Sequence, residues 1–280
     1  MVETPFNNIR KILSREIPKD LIDRIPNRWE KIGNIAVVKL DNDLKKYVDI
    51  VGKTYADFLD CKTILNDVGG IHGELREPDM KVIYGSTKTE TIHKENGVRF
   101  KLDPQKVMFS SGNMDERLRM ATISSEDEVV VDLFAGIGYF TLPIAIHSKP
   151  KKIFACEKNK IAFDYLSNNI ALNNVNSIVE PLFGDNREIA PKNIADRVIM
   201  GYIGGTGDFL PVAIKSLRDN KGIIHFHEKY SDSLISNKPL NYIKKIAKDF
   251  NKNIKLIEYR KVKSYAPGIS HFVFDISVGE

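Results

Sequence analysis

Cysteine is scarce in this sequence: Cys61 and Cys156 are the two thiols among 280 residues. Two such residues build neither a disulfide framework nor a four-thiolate zinc site, and they point to a reducing, cytosolic setting. Long apolar runs are missing too. No stretch approaches the ~18 consecutive apolar residues of a membrane span, so no integral membrane protein is expected. The first thirty residues carry Glu3, Glu16, Asp20, Asp23 and Glu30 without an apolar segment, so no secretory signal is expected. Internal repeats and low-complexity tracts are absent. The lone tryptophan, Trp29, reads as a packing residue. What remains, 42 % hydrophobic and 28 % charged, suits a cytoplasmic globular chain, expected to be a monomer, of one large domain or of a domain with a smaller appendage.

A strong charge bias is also lacking overall. The 42 Lys/Arg against 37 Asp/Glu give +5. The first hundred residues are nearly neutral, with 17 basic and 16 acidic side chains. Residues 244–263 differ, holding eight Lys/Arg against Asp249 and Glu258. Together with Lys101 and Lys106 that stretch fits either a docked polyanion or a solvated surface helix and strand.

The patterning divides the chain near residue 100, into a small α+β domain (1–100) and a larger one (101–280). In the first part, residues 35–40 and 80–85 read as strands and 57–68 as a helix, separated by Gly69-Gly70, Pro78 and Gly97. From Val129 the pattern becomes regular. Strands are expected at 129–134, 152–157, 178–186, 195–202 and 222–227, alternating with helices at 141–148, 161–172, 209–217 and 241–250. In 161–172, Ile161, Tyr165, Leu166 and Ile170 fall on one stripe. An antiparallel pair closes the chain. Alternation of this kind predicts a doubly wound, Rossmann-like α/β fold with a mostly parallel sheet.

Ligands of such sheets bind beyond the carboxyl ends of the strands. The first regular strand ends in Asp132-Leu-Phe-Ala-Gly136-Ile-Gly138-Tyr-Phe140, a loop whose glycines let backbone approach a ligand. A dinucleotide fingerprint would need a third glycine where Thr141 stands. S-adenosylmethionine, which has no pyrophosphate, is the alternative, and a tight turn without ligand is the third reading. Glu157 ends the second strand, where a carboxylate can accept both ribose hydroxyls. Asp185-Asn186 follow Gly184 at the third strand end, where either side chain can accept the exocyclic amine of adenine. Taken singly these are also a helix-start glutamate and a turn; in register they favour the nucleoside cofactor.

The segments 109–117 (Phe-Ser-Ser-Gly-Asn-Met-Asp-Glu-Arg), 131–145, 196–202 and 222–228 resemble the archaeal and eukaryotic wybutosine-synthesising protein 2 family. These are tRNA 4-demethylwyosine aminocarboxypropyltransferases, related to the tRNA guanine-N1 methyltransferases of position 37. The resemblance runs from about residue 30 to the end. Gly73-Glu-Leu-Arg76 and Lys94-Glu-Asn-Gly97 are similar to the small domain that precedes the catalytic one. It implies a class I S-adenosylmethionine-dependent fold with a seven-stranded sheet. It implies transfer of the 3-amino-3-carboxypropyl group to carbon-7 of the tricyclic base, with the tRNA anticodon stem-loop as partner.

Two departures separate this chain from the methyltransferases. Met200-Gly201-Tyr202-Ile203 stands where they carry an Asn-Leu-Pro-like motif, and Ser-Ser-Gly-Asn stands where they carry Ser-Pro-Arg. Ser110 and Arg117 are, by the resemblance, candidates for holding the methionine tail. An ion pair with Asp115 is the alternative for Arg117. Cofactor-binding candidates are therefore Ser110, Arg117, Gly136, Glu157, Asp185 and Asn186. No catalytic base is assigned, with Glu116 one option. His225 and His227 share a strand face beside Glu228, but the missing further ligands argue against a metal. A guanine methyltransferase and a non-catalytic RNA-binding module remain the competing readings.

Overall fold

The computed structural model describes residues 4–235 and 238–279. Two compact units divide the chain. One comprises the residues up to Lys94 with Arg99–Ser111, the other Glu95–Val98 and the residues from Gly112 onward. The boundary expected near residue 100 lies in a hairpin, β5 (Thr91–Glu95) and β6 (Val98–Leu102), whose residues are split between the units.

In the first unit α1 (Pro5–Leu13) begins where the Thr4 hydroxyl accepts the Asn7 N–H, with Pro5 in the first turn. A second helix, α2 (Val48–Leu59), packs with it against a sheet ordered β1 (Trp29–Ile32), β2 (Ile35–Val38), β3 (Thr63–His72) and β4 (Glu77–Gly85). The pair β2–β3 is parallel and the others antiparallel. Ile9, Leu13, Val51, Tyr55 and Ile64 are fully buried between the layers. Trp29 packs edge-on against Tyr55, with centroids 6.2 Å apart.

The helix expected at 57–68 is wrong. Asp60 turns into the left-handed region at φ 49°, and the Cys61 N–H closes on Ala56 O at 2.9 Å, so α2 ends there. The β-branched Thr63 and Ile64 then pair in parallel with Ile35 and Ala36. The helix lies nine residues earlier, where Gly52 weakens the helical signal. That glycine is needed for packing: a Cβ there would come within 2.6 Å of Tyr84 Cβ.

In the second unit strands and helices alternate as the periodicity predicts. The order is α3 (Met114–Met120), β7 (Val129–Asp132), α4 (Thr141–His147), β8 (Lys152–Glu157), α5 (Lys160–Leu172), β9 (Val179–Phe183) and α6 (Asn186–Ile189). Then come β10 (Arg197–Met200), α7 (Leu210–Ser216), β11 (Gly222–Ser231), α8 (Lys238–Lys248), β12 (Asn253–Ala266) and β13 (Ile269–Gly279). The seven-stranded sheet is ordered β12-β13-β11-β10-β7-β8-β9. Five strands run parallel, and β13 inserts antiparallel between β11 and β12. Tyr165, Leu166 and Ile170 of α5 are buried, whereas Ile161, in the first turn, is 43 % exposed.

One face of this sheet carries a core of Val131, Val198, Met200, Leu210, Phe226 and Phe274. Phe226 is fully buried and lies 6.3 Å from Phe274, centroid to centroid. Phe226→Ala is expected to lower the unfolding free energy by about 3–5 kcal/mol, the range for removing a buried aromatic ring. Urea denaturation followed by circular dichroism measures it; a loss under about 1 kcal/mol would place the core elsewhere.

Candidate active site

Strand order reverses at β7. Strands β8 and β9 lie on one side of it and β10 and β11 on the other, which opens a crevice between the ends of β7 and β10. The loop leaving β7 is pinned to both neighbours: Leu133 N–H donates to Ile199 O at 3.0 Å and Ala135 N–H to Cys156 O at 2.9 Å. Gly136 and Gly138 then take φ of 58° and 102°, left-handed values that favour glycine. A Cβ on Gly136 would sit 2.4 Å from the Tyr139 ring, and one on Gly138 would sit 2.6 Å from Leu142.

Three carboxylates surround this loop, in different electrostatic states. Asp132 is fully buried, accepting the Phe134 N–H (3.2 Å) and the Thr141 hydroxyl (2.8 Å). Burial pushes its pKa up to about 6, against those hydrogen bonds. Glu157 accepts Gly136 N–H on one oxygen and Asn159 N–H on the other, both at 2.7 Å. Burial raises its pKa too, and the backbone donors oppose the rise. Each Glu157 oxygen keeps acceptor capacity for a further donor. Asp185 behaves oppositely. The Arg187 guanidinium (2.5 and 2.8 Å) and Lys158 (3.2 Å) hold it well below the usual carboxylate range.

Within the expected Asp-Asn pair, the two side chains therefore separate. Asp185 caps α6 through the Arg187 N–H. Asn186 is 6 % exposed and donates its amide to Leu133 O at 2.8 Å. Its Oδ1 is buried with no hydrogen-bond partner among the described residues. An orphaned buried acceptor is costly, and a ligand N–H would relieve it. Next to it, Phe134 stacks on Tyr202 (5.1 Å, 19°) and meets Phe209 edge-on at 4.9 Å, with Arg187 over Phe209 at 5.4 Å.

Ser110 lies half-buried in the first unit, directly before Ser111, whose N–H donates to Glu30. Arg117 is placed differently from either expectation. It is 2 % exposed, and its Nε and Nη2 form a bidentate pair with Glu95, both bonds at 2.7 Å. The donors expected to clamp a methionine carboxylate thus hold the tip of the β5–β6 hairpin. Asp115 is exposed, two residues away on the helix, a spacing that puts side chains on different faces.

A polar network that sequence reading did not foresee joins α3 to β10, β11 and β13. Arg119 bridges Glu116 (2.6 and 3.0 Å) and Asp275 (2.6 Å). His225 Nδ1 meets Asp275 at 2.6 Å, and its Nε2 meets Arg197 at 2.7 Å. Arginine only donates, so Nε2 accepts and Nδ1 carries the proton given to Asp275. Burial lowers the His225 pKa against the pull of Asp275. Burial would raise Asp275, but His225 and Arg119 outweigh it and hold it below the usual range. His227 instead contacts His271 at 3.0 Å and stacks on Phe140 at 5.1 Å. Among the described residues no group of three or more His, Cys, Asp or Glu could hold a metal ion. In the basic stretch, Arg260 pairs with Glu258 at 2.6 Å and Lys261 with Asp232 at 3.4 Å.

A family profile for the TRM5/TYW2 methyltransferase domain matches residues 91–257, and one for the TYW2 N-terminal domain matches residues 9–89. A Pyrococcus horikoshii tRNA(Phe) (4-demethylwyosine(37)-C(7)) aminocarboxypropyltransferase is 42 % identical over 270 residues, 96 % of either chain. This chain belongs to the TRM5/TYW2 family. A Methanocaldococcus jannaschii protein of the same name is 46 % identical over 89 % of this chain and 96 % of its own. The crystal structure of P. horikoshii TYW2 in complex with MeSAdo superposes with a TM-score of 0.86, at 39 % identity and 98 % coverage of both chains. The crystal structure of M. jannaschii TYW2 in complex with AdoMet superposes with a TM-score of 0.74, at 40 % identity over 90 % of this chain and 100 % of that one.

The residues at the switch point fit that cofactor class. Asn186 offers an unfilled acceptor, Glu157 a carboxylate held by backbone amides, and Gly136 and Gly138 a turn in left-handed conformations beside them. Asp132 supports the turn from below, and its shifted pKa has a measurable consequence. The stability that goes with its protonated folded form is complete below about pH 4 and is lost as pH rises through about 6. Asp132→Asn removes the ionisable group: its Oδ1 still accepts the Phe134 N–H, and its Nδ2 donates to the Thr141 hydroxyl, whose role reverses. The variant's stability relative to wild type should therefore grow between pH 4 and 7, on the order of 3 kcal/mol, then stay level. Parallel stability curves in urea at stepped pH would remove this assignment.

Proposed function

We propose that this chain transfers the 3-amino-3-carboxypropyl group of S-adenosylmethionine to carbon-7 of 4-demethylwyosine at position 37 of tRNA(Phe), releasing methylthioadenosine. The reading is carried by full-length similarity to two archaeal enzymes of that name. The RNA element bound is the anticodon stem-loop, and the reaction belongs to the cytoplasm. When bound, the cofactor supplies a sulfonium with three electrophilic carbons: the methyl, a ribose carbon and the γ-carbon of the methionine moiety.

The chain's own residues supply position. Glu157 accepts the ribose hydroxyls on the lone pairs its backbone amide partners leave open. Asn186 Oδ1 accepts the exocyclic amine of adenine, which satisfies its orphaned acceptor. Asp185, engaged by Arg187 and Lys158, shapes the turn and leaves the adenine contact to Asn186. Which carbon reacts depends on bringing the nucleophile in line at ~3–3.5 Å, a matter of placing the target base. At the end of β10, a side chain on Gly201 would come within 2.9 Å of the Phe140 ring. The carboxamide and proline of the methyltransferase motif have no counterpart there. Glu116 is 3 % exposed and tied to Arg119, so it belongs to the buried network instead of serving as a base open to substrate.

Glu157→Ala should weaken S-adenosylmethionine binding by about 1–3 kcal/mol in calorimetry, the range for losing a charged acceptor. Unchanged affinity would remove the ribose assignment. The reaction itself is read with cofactor labelled in the methionine backbone or, separately, in the methyl group, incubated with tRNA carrying the tricyclic base. Backbone label should enter the RNA, while methyl label should leave in methylthioadenosine. Methyl label in the RNA, with adenosylhomocysteine released, would establish the methyltransferase instead.

A further inference from the structure

One carboxylate holds the turn that follows β10. Glu228 of β11, 7 % exposed, accepts the N–H groups of Gly204 (2.7 Å), Gly205 (2.9 Å) and Thr206 (2.9 Å), and that of Lys229 at 2.8 Å. Gly204 and Gly205 take φ of 93° and 104°, which turns successive amides toward one point. The Thr206 hydroxyl donates back to Tyr202 O. The turn beyond Tyr202 is thus fixed to the sheet, although it lies at the open end of the crevice.

Beside this turn stands an exposed ring backed by a cation. A side chain on Gly204 would come within 3.4 Å of Lys229 Nζ, so the lysine runs alongside the turn. Its ammonium lies 5.2 Å from the centroid of Tyr265 on β12, a ring 51 % exposed. The strand that carries Tyr265 also holds Lys255, Arg260, Lys261 and Lys263 against Glu258. An aromatic face open to solvent beside positive charge suits a nucleobase and its phosphate, because every base has a π-face and every linkage a negative charge.

We propose that Tyr265 and Lys229 form a docking platform for single-stranded RNA beside the crevice. The ring stacks a base flanking the target nucleotide, and the ammonium contacts a neighbouring phosphate. The platform rests on the tRNA reading above. Its test is separate, because it measures binding of a labelled RNA stem-loop by anisotropy and requires no group transfer. Loss of transfer by wild-type protein would count against that reading alone.

Tyr265→Ala should weaken stem-loop binding about tenfold, within the range for stacking one base, and leave binding of a fully paired RNA of equal length unchanged. Tyr265→Phe should restore stem-loop affinity. Lys229→Ala, at an exposed position that does not threaten folding, should reduce the salt slope by about 0.7, one single-strand phosphate contact. Unchanged stem-loop affinity in Tyr265→Ala, equal loss on both RNAs, or an unaltered slope in Lys229→Ala would overturn the platform. Those outcomes would leave the Lys229–Tyr265 contact as a local brace of the β12–β13 hairpin.

Discussion

Parallel pairing of β7 with β8 along one edge and with β10 along the other brings three strand ends to one place. Asp132, Glu157 and Met200 all lie at those ends, and the loop after Asp132 must pass between two occupied edges. It does so by bonding to Ile199 O on one side and Cys156 O on the other. This confinement requires backbone conformations at Gly136 and Gly138 that favour glycine, and it aims the Gly136 N–H at Glu157. The site is a consequence of where the sheet reverses order.

The polar groups of this unit divide into those answered by the protein and those that keep an open acceptor. Asp132, Glu116, Asp275 and His225 are buried and answered by internal partners. Such groups fix geometry: breaking one side of a buried pair leaves an uncompensated charge, typically at about 3–5 kcal/mol. Asn186 Oδ1 is buried but unanswered, and Glu157 keeps acceptor capacity at a half-buried position. That contrast separates scaffold from contact surface more sharply than residue type does. Arg117, a good chemical match for a carboxylate ligand, falls among the answered groups through Glu95.

Much of this was legible along the chain. The alternation after Val129 identified the doubly wound domain because buried parallel strands read as short β-branched runs and their helices as stripes. The placement of Gly136, Glu157 and Asn186 at or just after strand ends was legible because strand ends can be counted from the same periodicity. The segment 57–68 was misread because a glycine inside α2 and a left-handed Asp60 hid the helix end.

The sequence by itself determined the fold class, the strand-end carboxylates and the family resemblance, since each depends on local patterns at fixed spacing. Tertiary structure alone decided the partners. Arg117 met Glu95 across 22 positions, His225 met Asp275 across 50, and Arg119 met Asp275 across 156. No local pattern encodes such pairings, because they arise when β13 inserts beside β11 and when α3 packs within the same unit. The same insertion leaves β12 as the edge strand and sets Tyr265 beside Lys229, a contact between residues 36 apart in the chain.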